Sequence, residues 1–323
     1  MMLIKNVKKA LTYILICSIS LLQFNKEAQA VSIRETNVGT AAKGNEILGV
    51  SGKFEYVTKE DIINRVNEIR KEACKNGYIN PSTGEKLSDE DYIAIKWSSE
   101  LEWIAQLRAA EATVYESHER PNGEKCFSAL YNDKQSWAEN LAWNHSGMLQ
   151  GIEQWYGEKE DWAKQNTNTV TGHYESLINP KYKYIGTGSF IRTSGGWYGI
   201  SAEFSFEDGL DESKSSLSGK KIQKIEIQKS HTGKARIQVP TKIKAGSTKK
   251  LNVVKKVTFS GIMGGTNTTD GIILNEITWS SSKKSVASIS ADGTLDAKKA
   301  GKTTITAKIK DGKSIKTTIT IQK

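Results

Sequence analysis

The chain has four histidines, His118, His145, His173 and His231. An imidazole beside a carboxylate offers either general acid–base work or a donor pair for a divalent metal. Ser117 precedes His118 and Ser176 follows His173, but neither stands in a nucleophile-elbow sequence, so serine hydrolysis has little support. His145, within Trp-Asn-His-Ser-Gly, reads as an exposed loop residue, and His231, among Lys and Ser, as a solvated one. Past residue 30 the only cysteines are Cys74 and Cys126. Export would permit one disulfide between them; the alternative is two buried free thiols. No CxxC pattern points to structural zinc.

These residues need elements to hold them. Thr58-Lys59-Glu60-Asp61 resembles a capping box, with Ile62, Val66 and Ile69 following at helical spacing and Asn76-Gly77 as a stop. A second helix is expected from Ser98–Ser99 past Glu111, broken by the His118 to Gly123 stretch. A third is expected over Gly151 to Trp162. Tyr184 to Ile191 and Trp197 to Phe206 flank Ser194-Gly195-Gly196, a hairpin signal. Helices followed by a hairpin predict an α+β or layered α-β-α domain. Trp103, Trp155 and Trp197 fit core positions; Trp137, Trp143 and Trp162 either pack in grooves or line a cleft for a sugar or lipid.

Composition divides the chain. Hydrophobic residues make up 37% and charged residues 25%, which argues against wholesale disorder. Lys5, Lys8 and Lys9, the apolar run Ala10 to Leu22 and Ala28-Gln29-Ala30 read as a signal peptide over residues 1–30. No later stretch is long enough to span a membrane, so the exported chain would carry no membrane span. The end, Thr-Ile-Gln-Lys, carries no LPxTG-like signal. Residues 31–52 are polar, lack periodicity and read as a leader or linker. Residues 53–207 then hold the α+β domain, and 208–221, rich in Ser, Gly, Asp and Lys, the interdomain linker. Beyond lie about seven short alternating strands in ~100 residues, which suits a β-sandwich over 222–323. Residues 211–323 hold 23 Lys and Arg against 8 Asp and Glu, whereas residues 31–210 are net acidic. A basic half favours anionic partners such as an envelope polymer or a host surface; a solvated Lys-rich β surface is the plain alternative, and no nucleic-acid motif is present.

Two passages go beyond composition. One runs from LEWIAQLRAAEATVYESHERPNG through WAENLAW, IEQWYGEKEDW and TGHYESLINPKYKYIGTGSF to GGWYGISAEFS. It resembles the CAP superfamily (SCP-like), which includes cysteine-rich secretory, antigen five and pathogenesis-related proteins. The resemblance spans residues 58–206 and implies an α-β-α sandwich with a cleft of two histidines and two acids. Carried over motif by motif, these are His118, Glu139, Glu158 and His173. Ala138 stands where the family usually has Gly, and Tyr174 to Leu177 depart from the commonest bacterial form. The second passage, ITWSSSKKSVASISADGTLDAKKAGKTTITAKI, resembles the group 2 bacterial immunoglobulin-like domains, a binding or spacer module.

The implied tetrad is a sound set for a divalent metal, zinc above all, with a carboxylate left to orient or activate water. It could equally be a polar network that fixes the fold. The resulting expectation is a secreted, extracellular binding or interaction protein. Its cleft takes a metal, small ligand or lipid, and its basic immunoglobulin-like domain attaches to an anionic polymer or surface. The alternative is an extracellular hydrolase acting on peptide, ester or cell-wall substrate through the same four residues.

Overall fold

A computed structural model describes residues 31–34, 39–262, 264–310 and 312–323. The signal-peptide expectation lies outside the described residues. In chain order the strands of the first half are β1 (Ile33–Arg34), β2 (Asn45–Phe54), β3 (Lys96–Trp97), β4 (Ala138–Asn144), β5 (Tyr184–Arg192) and β6 (Tyr198–Ser205). The helices are α1 (Lys59–Lys75), α2 (Ser99–Ala112), α3 (Met148–Tyr156), α4 (Lys159–Ala163) and α5 (Gly172–Ile178). The second half is all β. It has β7 (Gly219–Gln228), β8 (Thr232–Gln238), β9 (Ile243–Lys244), β10 (Thr248–Lys250), β11 (Asn252–Ser260), β12 (Thr266–Ile273), β13 (Ile277–Ser281), β14 (Ala287–Ile289), β15 (Thr294–Ala297), β16 (Gly301–Ile309) and β17 (Ser314–Gln322).

Local chemistry sets the helix starts. The Thr58 hydroxyl accepts from the Asp61 amide and donates to its carboxylate, and Ser98 accepts from Leu101 N. The third expected helix is instead two, α3 and α4, which meet at Gly157-Glu158. The first half is layered. Antiparallel β4, β6 and β5 form the middle, with α2 packed on one face and α1, α3 and α5 on the other. One core fills the second face with Ile62, Val66, Trp97, Ile152, Trp155, Ile185 and Phe204. In α2 every residue but Ser99 and Trp103 is buried. It lies directly on glycines: a Cβ on Gly186, Gly188 or Gly199 would come within 1.9, 2.4 and 2.4 Å of α2 backbone atoms.

Residues 31–52, expected to be a leader, hold most of a ten-residue strand instead. The physical reason is pairing on both edges of β2. One edge pairs with β7 along its whole length, from Asn45↔Gln228 to Phe54↔Gly219. The opposite edge is divided: Gly52–Phe54 face β5, and Leu48–Gly49 face β12. The expected linker 208–221 likewise ends in β7, which begins at Gly219. One sheet therefore runs β4-β6-β5-β2-β12-β11-β8 through both halves. The core under α2 follows it, from Ile104 and Phe190 through Ile225 and Val257 to Ile305 and Ile319. Ile33–Lys323 accordingly cohere as one unit. Two further sheets, β10-β15-β14 and β13-β16-β17-β9, complete the β-rich half. Arg34 fastens the first strand: its guanidinium donates to Gln106 and Gln223 and lies over the Phe54 and Trp103 rings. Among the described residues no helix is long and apolar enough to cross a membrane.

Candidate functional site

The four residues named by resemblance come from separate stretches and meet. The loop after α2 carries His118, β4 carries Glu139, the α3–α4 junction carries Glu158, and the first turn of α5 carries His173. His118 Nδ1 lies 2.7 Å from Glu139 Oε1, and His173 Nδ1 lies 2.5 Å from Glu158 Oε1. The two imidazole centroids are 6.5 Å apart, with planes inclined by 26°. The other Glu158 oxygen accepts the His173 and Tyr174 amides, each at 3.1 Å, so one carboxylate fixes both the ring and the start of α5. Asn140, next to Glu139 on β4, donates to the His173 carbonyl and ties the two pairs together.

Behind His118 is a buried ionic chain. Arg108, fully buried on α2, donates Nε to Glu139 Oε2 at 2.6 Å and Nη1 to Glu111 Oε2 at 2.7 Å. Arg120 closes the chain on Glu111 at 2.8 Å. Burial works against the Glu139 charge, but the Arg108 cation and the bond to His118 outweigh it and hold the carboxyl down at about 2. Across the β4–β6 ladder Glu139 faces Glu203. There burial first, and the Glu139 charge second, push the carboxyl well above the usual range. The Ser201 hydroxyl donates to its Oε1 at 2.7 Å, and its Oε2 has no well-placed partner. Cys126 also lies against this wall, and burial pushes its thiol up to about 12.

Opposite signs follow for the two acids. Glu139 is depressed on folding, so its charge stabilises the protein above its unfolded value of 4.5, and that stabilisation disappears as pH falls towards 2. A shift of that size corresponds to about 3 kcal/mol. Glu203 is raised, so its contribution is full below its unfolded value and is lost as pH rises. Urea unfolding between pH 2 and 5 should show a steeper acid loss in the wild type than in Glu139→Gln. Glu203→Gln should keep that acid loss while matching or exceeding wild-type stability at pH 7. Identical acid slopes in wild type and Glu139→Gln would remove this assignment.

Other expected residues divide. Trp155 is buried as expected, but Trp197 is 54% exposed and stacks on His145 at 3.6 Å, because the Gly195-Gly196 turn projects it from the hairpin. Of the cleft candidates, Trp143 donates to Ala112 O and Trp162 to Ile79 O, which is groove packing, while Trp137 is 41% exposed beside Phe206. His231 is half-buried on Phe259 rather than free in solvent. Cys74 and Cys126 are both buried free thiols. Sequence reasoning missed Arg108 and Glu203. The signal for the first was a charged pair at i,i+3 within an otherwise apolar stretch of α2.

A layered α-β-α half with two paired histidines, joined to an all-β half, defines the class. Residues 63–204 match the family model of the cysteine-rich secretory protein family (CAP), and residues 238–320 match that of the bacterial Ig-like domain (group 2). The chain thus carries a CAP domain followed by a bacterial Ig-like domain. Venom allergen 5.02 of Dolichovespula maculata is 24% identical over 169 residues, covering 50% of this chain and 76% of that protein. The solved structure of BmVAL-1 aligns over 50% of this chain and 82% of its own, at 18% identity and a TM-score of 0.34.

Proposed function

We propose that this is an exported binding and attachment protein. Its CAP cleft takes a divalent ion or a small ligand between His118 and His173, and its Lys-rich Ig-like domain docks on an anionic envelope or host polymer. The observation that carries this reading is the pairing of each imidazole through Nδ1 with its own carboxylate. That is the arrangement in which a carboxylate orients a metal-binding histidine by its second nitrogen. Glu139 and Glu158 then stand behind the histidines rather than on the ion. Two imidazoles on one tetrahedral zinc have centroids about 5 Å apart, given ~2.1 Å Zn–N bonds. The 6.5 Å gap is wider by little more than an ångström, and the His118 side chain, 57% exposed, has room to close it. When bound, such an ion supplies a Lewis-acid centre that polarises a ligand oxygen.

Hydrolysis is the weaker reading. The Ser117 hydroxyl accepts from the Glu119 amide and the Ser176 hydroxyl donates to Gly172 O, so neither serine is engaged by a histidine. A carboxylate held near pH 2 is also a poor proton shuttle at neutral pH. On the β side, Lys302, Thr304, Thr306 and Lys308 alternate outward along β16 beside Lys316 and Thr318 of β17, a cationic face rich in hydroxyls.

Calorimetric titration of zinc should give saturable heat with the wild type and none with His118→Ala/His173→Ala. Equal heats would remove the metal reading. Binding to isolated envelope polymer should fall steeply as salt rises, since exposed charges more than about 10 Å apart are screened at 0.1 M.

A further inference from the structure

The outward face of β13, β16 and β17 carries lysines and hydroxyls but no acid. Buried Thr303, Ile305 and Ala307 fix the inner side of β16, so Lys302, Thr304, Thr306 and Lys308 point out. The register sets a hydroxyl opposite each outward lysine: Lys302 faces Thr320, Lys308 faces Ser314, and Lys316 faces Thr306. Two lysines directly opposite would repel. This register keeps the face one-signed without any such pair. β13 continues the pattern, with Thr278 beside Lys308 and Ser280 beside Thr306. Between the lysines, the Thr304 and Thr318 hydroxyls meet at 3.3 Å. At ~3.4 Å per residue and ~4.8 Å between strands, the face is roughly 20 Å long and 10 Å wide. Those dimensions suit several repeats of a chain rather than one ion.

Charge and composition narrow the occupant. Residues 238–320 hold 15 Lys and no Arg against five acids. Arg236 takes up Asp270, Lys310 takes up Glu276, and Lys250 takes up Asp292. Asp296 lies in another sheet, on β15 beside Ser288, and Asp311 is outside the described residues. Lys302, Lys308 and Lys316 are exposed, and among the described residues no acid pairs with them. Lysine is a point charge, whereas arginine offers a planar fork for bidentate pairing. A face built on lysine alone therefore reads single charges at intervals, as phosphodiesters present them. The only aromatics of 238–320 are Phe259 and Trp279. Phe259 is buried, and Trp279 stands opposite buried Ala307 on the inner side, so this face has no ring on which a sugar could stack.

We propose that this face is the docking track for a linear polyol-phosphate polymer of the cell envelope. Lys302, Lys308 and Lys316 take its phosphodiester oxygens, and the threonine and serine hydroxyls between them take its polyol oxygens. The proposal rests on reading the Ig-like half as an attachment module for an anionic polymer, and it names the face and the polymer class. Each lysine seated on a phosphate releases a condensed counterion, so log affinity falls linearly with log salt, with a slope set by the number of contacts.

The test is binding of the purified full-length protein to immobilised poly(glycerol phosphate) across a salt series, with heparin, a sulfated glycan, as the comparison. Lys302→Gln/Lys308→Gln/Lys316→Gln should weaken binding to the phosphate polymer at least about tenfold and flatten the salt slope. Lys234→Gln/Lys249→Gln/Lys256→Gln removes the same charge from exposed positions on β8, β10 and β11, and should bind as the wild type does. Thr304→Val/Thr318→Val keeps every charge and should still lower affinity. All six lysines are exposed, so both triple variants should melt with the wild type. Equal losses in the two triple variants leave attachment by charge standing and overturn this face. Tighter binding to heparin than to poly(glycerol phosphate) overturns the polymer class. Unchanged affinity in Thr304→Val/Thr318→Val overturns the hydroxyl contacts. Binding to neither polymer sinks the attachment reading as well.

Discussion

Arg108→Met should lower stability by about 3–5 kcal/mol at pH 7, the usual loss when one partner of a buried ion pair is removed. The Arg108 side chain and the carboxylates it joins, Glu111 and Glu139, are at most 1% exposed. Glu111 keeps Arg120, but Glu139 would keep only His118, which is itself open to solvent. Methionine fills much of the volume, so the loss reports the missing cation rather than a cavity. Two further observations identify the cause. The deficit should shrink as pH falls and Glu139 takes up a proton. Arg108→Lys, which restores the charge without the planar fork that reaches Nε and Nη1 contacts together, should recover only part of it. Denaturant unfolding at pH 7 and pH 3 measures both, and an Arg108→Met protein within 1 kcal/mol of wild type would show that the ionic chain is not what holds this region.

Gly188→Ala should cost at least about 3 kcal/mol, the upper part of the range for overpacked cores. A Cβ at this position would lie 2.4 Å from Ala105 O and 2.5 Å from Gln106 Cα. Those atoms belong to the α2 backbone, which is locked by its own hydrogen bonds and cannot rotate aside as a side chain would. Gly186 and Gly199 make equally close approaches, so the helix is seated along a line of glycines and one methyl lifts it. Because α2 also carries Arg108, the lift would disturb the Glu139–His118 pair as well. Gly196→Ala is the control, since nothing lies within 4 Å of its Cβ position. Thermal unfolding of the two variants should separate them clearly; equal melting temperatures would mean that the helix and sheet tolerate the displacement.

The parts of the fold that could be read from the sequence are those with local signals. Thr58 and Ser98 cap α1 and α2 where expected, and the Gly195-Gly196 turn divides β5 from β6. β4 was recognisable as a motif but not as a strand, because residues pointing to both of its faces are buried and no alternation survives. β2 was hidden for a different reason. Gly49, Ser51 and Gly52 dilute its pattern, yet the glycines are required because the Ile222 and Phe190 side chains occupy the space a Cβ would take. The positions of His118, Glu139, Glu158 and His173 came through resemblance. The places of Arg108 and Glu203 did not, since each depends on a neighbour brought close only by tertiary packing: a helix against a sheet, and a cross-strand register.

The divided edge of β2 bears on how this chain can be taken apart. The stretches that match the two family models, 63–204 and 238–320, both omit β2 and β7. Cutting at those limits would strip part of the β5 edge on one fragment and of the β12 edge on the other. Unpaired backbone along a strand is a template for adhesion between copies. The borders of shared ancestry and the borders of autonomous folding are therefore different lines in this molecule, and a fragment meant to stay dispersed in solution must carry Asn45–Phe54 with it.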